Sequence, residues 1–182
     1  GLPIRELPLK NIEKRLLGHP FIRTVEASVD QQGILKLSLT QHEPMARIAR
    51  AETADGYITK EGLLIATSPS YTSRVLIIQG VYIGSLMDQG RIDAIPELIP
   101  LIRFISQDKF WNAQVTELEI NGRNDIRIHQ QVGKQVIEFG DAHDYESKFE
   151  RIALLYKEIL PRKGWDAYTR ISVKYKNQIV CE

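Results

Sequence analysis

The sequence predicts an α+β protein with a mainly antiparallel sheet, and three observations carry that prediction. Short apolar runs of strand type recur between turns rich in Gly, Asn and Asp. Two longer stretches, 92–106 and 144–160, place apolar residues at helical spacing. The first 70 or so residues read as helix, strand, strand, short helix and strand, an order that suits a compact α+β unit.

Leu9, Ile12, Leu16 and Leu17 share one face of a short helix, which Gly18 and Pro20 end. Phe21–Val29 is a strand, Asp30-Gln31-Gln32-Gly33 a turn, and Ile34, Leu35, Leu37 and Leu39 mark a second strand paired back on the first. Glu43-Pro44 opens another turn of helix over Met45–Ile48, followed by strand pieces at Ala49–Ala51, Gly56–Thr59 and Leu63–Ile65. Thr67-Ser68-Pro69-Ser70 is small, polar and broken by proline, and reads as a linker between units at 1–68 and 69–182.

Val75–Ile78 is a strand closed by Gly80. Ile92–Ser106 is mostly helical, and Pro96 and Pro100 either kink it or split it. Gln114–Ile120, Asp125–Gln130 and Gln135–Phe139 form an antiparallel meander with turns at Asn121–Asn124 and around Gly133. Asp144 is a candidate N-cap for a helix with Tyr145, Phe149, Ile152, Tyr156 and Leu160 inside and Lys148, Glu150 and Arg151 on its solvated face; Pro161 and Gly164 stop it. Ile171, Val173 and Tyr175 alternate with polar residues, Lys176-Asn177 turns, and Gln178–Glu182 is a short strand at a sheet edge.

Composition excludes several classes. At 182 residues, 43% hydrophobic and 26% charged, the chain has the make-up of a folded globular protein of one or two domains. Lys plus Arg (24) nearly balances Asp plus Glu (23), which gives no electrostatic case for nucleic acid. No apolar run is long enough to span a membrane, and GLPIRELPLK lacks the pattern of a signal peptide. The single cysteine, Cys181, excludes an internal disulfide framework and is expected to pack as an apolar side chain. Asp141-x-His143-Asp144 has no second cluster to complete a metal site, and no phosphate loop or nucleophile elbow occurs. No catalytic residue, cofactor or metal is therefore assigned.

Several segments together resemble the extracytoplasmic part of the FtsQ/DivIB family of bacterial division proteins, Gram-negative type. His19-Pro20-Phe21-Ile22 with Val25–Val29 is similar to the helix-to-strand step of that family's POTRA domain. Gln41-His42-Glu43-Pro44-Met45-Ala46 is similar to its x-R-E-P-V-A step, with His42 where arginine is commoner. Gly56–Gly62 resembles its Y-Y-I-D-x-x-G turn, with Thr59 for the usual acid. Val75–Gly80, Phe110–Gln114, Ile137–Gly140 and Ile171–Cys181 complete the likeness in order and spacing.

The resemblance implies a POTRA-like domain followed by a mainly antiparallel β domain with two helices. It also implies a non-enzymatic divisome scaffold, anchored in the inner membrane by an N-terminal helix outside this chain and working at its periplasmic face at the septum. The implied partners are the FtsB/FtsL coiled-coil pair, held by strand addition to the terminal strand, with the POTRA surface as a further docking site. That mode places Asn177, Gln178, Ile179, Val180, Cys181 and Glu182 at the interface, with Tyr175 as an aromatic anchor and Arg123 at a neighbouring turn. Trp165 and Tyr168 are further anchors or simply core, and a proline at Val180 is expected to remove an edge donor. The rival readings are a POTRA-bearing outer-membrane assembly or secretion factor, and an enzyme of unrecognised type.

Overall fold

The computed structural model describes residues 8–182, so the start of the unit expected over 1–68 lies outside the described residues. A small unit comes first: α1 (Leu9–Leu17), β1 (Ile22–Val29) and β2 (Leu35–Gln41), the two strands forming an antiparallel ribbon. Asp30 builds the ribbon turn by accepting from the N–H groups of Gln32 and Ile34. Glu13 of α1 reaches across to accept from Ala27 N at 2.8 Å, satisfying a donor on β1 that β2 cannot reach.

A nine-stranded mixed sheet makes up the rest, in the order β11-β10-β9-β8-β7-β6-β3-β4-β5. Its strands are β3 (Pro44–Ile48), β4 (Gly56–Thr59), β5 (Leu64–Ala66), β6 (Leu76–Gln79), β7 (Val115–Gly122), β8 (Asp125–Gln130), β9 (Val136–Gly140), β10 (Arg170–Ser172) and β11 (Val180–Cys181). The helices are α2 (Val81–Asp88), α3 (Leu98–Gln107), α4 (Lys109–Gln114), α5 (Tyr145–Leu154) and α6 (Leu160–Lys163), with a π-helical turn over Leu155–Ile159 between the last two.

Strand register explains the layering. Ile48, Ile78, Leu118, Ile128, Ile137 and Ile171 are successive cross-strand neighbours, all buried, and Cys181 ends the row. This face packs on Ile83, Leu101, Ile105, Trp111, Phe149 and Ile152 of the helices in one continuous core. Phe149 lies at its centre, with ring centroids 4.6 Å from Trp111, 5.2 Å from Phe104 and 5.3 Å from Phe139. The opposite face carries Glu117, Glu119, Arg127, His129, Glu138 and Arg170 in mutual ion pairs. Because strand side chains alternate in direction, one face is apolar and covered while the other is charged and open.

The small unit meets this sheet through one aromatic side chain. Phe21 is buried, with its ring edge-on to Tyr57 of β4 at 5.6 Å and to Tyr71 at 5.3 Å. Arg23 adds an ion pair to Glu61 at 3.1 Å.

Several expectations change. Met45–Ile48 is strand, not helix, because Ala46 and Ile48 pair in parallel with Leu76 and Ile78. That distant partner decides the conformation of a run too short to declare its own period. Ala49–Ala51 forms no strand; there Asp55 accepts from Arg50 N and pairs with Arg47. The same β3–β6 pairing carries the sheet across the position expected to divide two units at 68 and 69. The sheet is mixed, with parallel ladders at β3–β6, β6–β7 and β9–β10.

The helix expected over 92–106 is split, with a 3-10 turn at Ile92–Ala94 and then α3. Pro100 sits in the first turn of α3, where its missing N–H costs nothing. The helices α2 and α4 were not foreseen. Asp144 does not cap α5 through its side chain; it holds φ 50° while its carbonyl accepts from Lys148 N. Lys148 belongs to the interior: its Nζ donates to Asp141 Oδ1 at 2.6 Å and Asp141 O at 2.9 Å, 4.9 Å from the Phe139 ring centre. Pro161 does not stop the helix but lies at the start of α6, the π-helical turn absorbing the donor it lacks. The alternation over Ile171–Tyr175 fails as well, since Ile171, Ser172 and Val173 are all buried and Tyr175 lies beyond the strand.

Two tests follow from this packing. Gly80 caps α2 at φ 126°, and a Cβ there would lie 2.3 Å from the Ile120 carbonyl oxygen. Gly80→Ala is expected to cost at least about 2 kcal/mol in chemical denaturation, through the combined clash and strain. The second concerns Asp141: burial raises its carboxyl pKa, but the hydrogen bond and charge of Lys148, with His143 N–H, outweigh this and hold it below the usual carboxylate value. A lowered folded pKa means stability that is present above the unfolded value of about 3.9 and lost as pH falls through the folded one. Asp141→Asn is therefore expected to lower the unfolding midpoint at neutral pH and to narrow its gap from wild type in strong acid.

Candidate partner-binding edge

The end of the sheet is built by a crossover. β10 lies parallel to β9, which requires the α5–α6 segment to carry the chain back over the core face. Asn177 then reverses the chain at φ 58°, a left-handed conformation that Asn tolerates, and Gln178 N donates to Tyr175 O at 3.4 Å. β11 returns antiparallel with Ile171 opposite Cys181 and Ser172 opposite Val180.

The hydrogen-bond parity of β11 decides what its outer side offers. Glu182 and Arg170 exchange both bonds, at 2.9 and 3.1 Å, so they form a closely spaced pair. Two residues back, Val180 and Ser172 occupy the equivalent position, and Val180 uses its backbone groups inward. Val173 N donates to Glu138 O at 3.0 Å on the other side of β10, in phase with that alternation. The outward N–H and C=O groups are therefore those of Ile179 and Cys181. A proline at Val180 would break the hairpin and leave the outer donors in place, so the sequence-based expectation for that position is corrected by one residue.

Side chains around this edge fall into two sets. On the open face Glu138 accepts from Arg170 and Lys174, both at 3.2 Å, and Arg170 also pairs with Glu182. Burial raises the Glu138 carboxyl pKa, and the Lys174 hydrogen bond and charge, followed by Arg170, bring it below its ordinary value. On the other face Cys181 packs against the core, half-buried, and burial pushes its thiol pKa up, which gives no activated thiolate. Val180 is exposed and Ile179 half-buried. Tyr175 is 59% exposed, so it is available as an anchor; Trp165, at 39%, lies tilted against Tyr156 with ring centroids 5.8 Å apart, and Tyr168 packs against the core.

Arg123 lies in the β7–β8 turn, where its Nε donates to Tyr82 Oη at 3.2 Å. Ile126 faces Gly140, and Lys174 lies against Gly140, so the Arg123 turn and the Asn177 turn share one end of the sheet. They are separated by about three strand spacings, roughly 14 Å. Arg123 is thus on the flank of the edge and tied to α2 (Val81–Asp88). Sequence reading missed Thr169 and Arg170, whose N–H groups hold the Glu182 carbonyl at 2.7 and 3.1 Å; only pairing partners across the turn could have revealed them.

Cavities lie elsewhere too, and two of them adjoin charged or aromatic side chains already described. One of about 350 Å³ opens beside Phe21 and Tyr71 at the junction with the ribbon. Another of about 560 Å³ sits at the carboxyl ends of β3 and β6, where Asp88 is paired with Arg50 and Glu119 is held by Asn121 and His129. Among the described residues no group of three His, Cys, Asp or Glu could hold a metal ion. His143 instead pairs with Glu97 at 3.1 Å. Among the described residues no helix is long and apolar enough to cross a membrane.

A comparison with curated proteins gives no match. The family model described as "FtsQ/DivIB, C-terminal related" matches residues 43–182, from the start of β3 to the last residue of the edge hairpin. That range coincides with the nine-stranded sheet and its helices and covers most of the chain. The chain therefore belongs to the FtsQ/DivIB C-terminal-related family, and its role is in bacterial cell division.

Proposed function

We propose that this protein is a non-enzymatic scaffold of the divisome, and that it holds an FtsB/FtsL-type pair at the periplasmic face of the inner membrane by strand addition to β11. One observation carries the reading: the outer edge of β11 presents the N–H and C=O groups of Ile179 and Cys181 at the end of a well-packed sheet. Family membership supports the division role. The α1–β1–β2 unit, joined through Phe21, is assigned as the POTRA-like part, and its surface as a further docking site.

Two donors and two acceptors, each contributing roughly 1 kcal/mol net, make a weak site on their own. Side chains must add to it. Tyr175, exposed beside the turn, supplies the aromatic anchor, and the Glu138–Arg170–Glu182 network fixes the strand that presents the edge. Asn177 and Gln178 shape the turn, Val180 contacts the partner from the open face, and Arg123 supplies a cation at the flank.

The test compares two prolines. Cys181→Pro removes an outward donor while leaving the inward ladder intact, and is expected to weaken capture of the FtsB/FtsL-type pair about tenfold or more in calorimetry, with the fold unchanged by circular dichroism. Val180→Pro is expected to release the hairpin itself, seen as rapid amide exchange at Glu182. Undiminished binding by folded Cys181→Pro would sink strand addition on this edge.

A further inference from the structure

A cationic cleft lies where β3 and β6 begin. The two strands run parallel with Ala46 opposite Leu76, so the chain enters both at the same end of the sheet. Arg74 stands just before β6, and Lys60 just after β4, its N–H donating to Glu43 O at 2.9 Å beside the start of β3. Arg103 and Gln107 come from α3 (Leu98–Gln107), and Asn112 from α4 (Lys109–Gln114). All five line one cavity of about 320 Å³, whose walls include the buried side chains of Met45 and Leu76.

Three cations thus share one concave wall, and one of them has an acidic partner. Lys60 Nζ pairs with Glu43. Among the described residues, carboxylates engage Arg23, Arg47, Arg50, Arg127, Arg162 and Arg170, but neither Arg74 nor Arg103. Arg103 donates one N–H to the Lys60 carbonyl at 2.9 Å, which holds its guanidinium at the cleft. The acids next along the chain are occupied elsewhere: Glu61 pairs with Arg23 at 3.1 Å, and Asp108 accepts from Phe110 N and Trp111 N. Lys60, Arg74 and Arg103 set against Glu43 leave two positive charges uncompensated. Like charges gathered in a concave, partly apolar site focus their field on whatever anion enters it.

The donor set discriminates between anions. One arginine fork saturates both oxygens of a planar carboxylate. Here two guanidinium groups approach from separate elements, and the amide groups of Gln107 and Asn112 add N–H donors. A tetrahedral group with three free oxygens and a charge of about −2 uses that set more fully. We infer that this cleft binds a phosphoryl group through Arg74 and Arg103. The site is separated from β11 by four intervening strands and does not rest on strand addition.

The experiment adds inorganic phosphate to the isotope-labelled wild-type chain at low ionic strength and follows the Arg Nε–H and Asn and Gln side-chain resonances, with acetate as the comparison. Saturable shifts at Arg74, Arg103 and Asn112 are expected, with affinity about tenfold or more weaker for acetate and in Arg74→Gln/Arg103→Gln. Arg74→Gln alone repeats the test without touching the Arg103 bond to Lys60, in case the double variant loses its spectral dispersion. No saturable shift in wild type, or equal shifts with acetate, overturns the inference. Shifts that persist unchanged in both variants also overturn it and mark an adventitious ion only. Vesicles of phosphatidylcholine with and without phosphatidylglycerol then separate the sources. Sedimentation that needs the phosphatidylglycerol and is lost in the variants assigns the phosphoryl group to a lipid headgroup. Saturable phosphate shifts without sedimentation assign it to a soluble phosphate.

Discussion

A single row of cross-strand contacts, Ile48–Ile78–Leu118–Ile128–Ile137–Ile171–Cys181, runs the width of the sheet from β3 to β11. Every strand it crosses has its register set by that row, because a slip of one residue would put a charged side chain into the core and an isoleucine into water. The helices share its core, since Phe149, Trp111 and Ile152 bury their area in the same apolar cluster as that row. The ion-paired face depends on it too. Glu117, Glu119, Arg127, His129 and Glu138 are aligned only because their neighbours in sequence point inward. At its far end the row seats Cys181 and so determines which backbone groups of β11 turn outward.

The sequence was readable where the signal is local. α1, the ribbon, the β7–β9 meander and the start of α5 all carry complete periods between recognisable turns, and they lie where expected within a residue or two. It misled where a distant partner decides. Met45–Ile48 is too short to show a period, and only pairing with β6 makes it a strand. Lys148 looks like a surface residue by its chemistry, but the Asp141 carboxylate, some seven residues back, and the Phe139 ring give it an interior site. Pro161 is a strong stop signal that a π-helical turn evades.

The edge itself shows the same division. That a short edge strand would follow the Lys176-Asn177 turn was legible from the turn itself, although the strand covers Val180–Cys181 and not the whole of Gln178–Glu182. Which of its residues face outward was not. Parity comes from the Glu182–Arg170 pair, and that pair is set by the width of the turn and by Thr169, neither of which has a sequence signature. The exposed ring of Phe110 was equally hidden, whereas Trp165, expected as either anchor or core, is partly exposed and packs on Tyr156.

The parallel pairing of β9 with β10 has a consequence in time. A hairpin can close in microseconds, whereas a parallel neighbour must wait for its crossover helix to settle on the sheet. β11 pairs only with β10, and β10 reaches β9 only after some thirty residues, including α5, the π-helical turn and α6, have found their seats. The outward donors of Ile179 and Cys181 are therefore among the last features of the domain to form. A chain stalled at the meander stage displays no ordered edge for a strand to join. The strand addition proposed above would then meet only finished molecules, with the slowest step of folding acting as its own inspection.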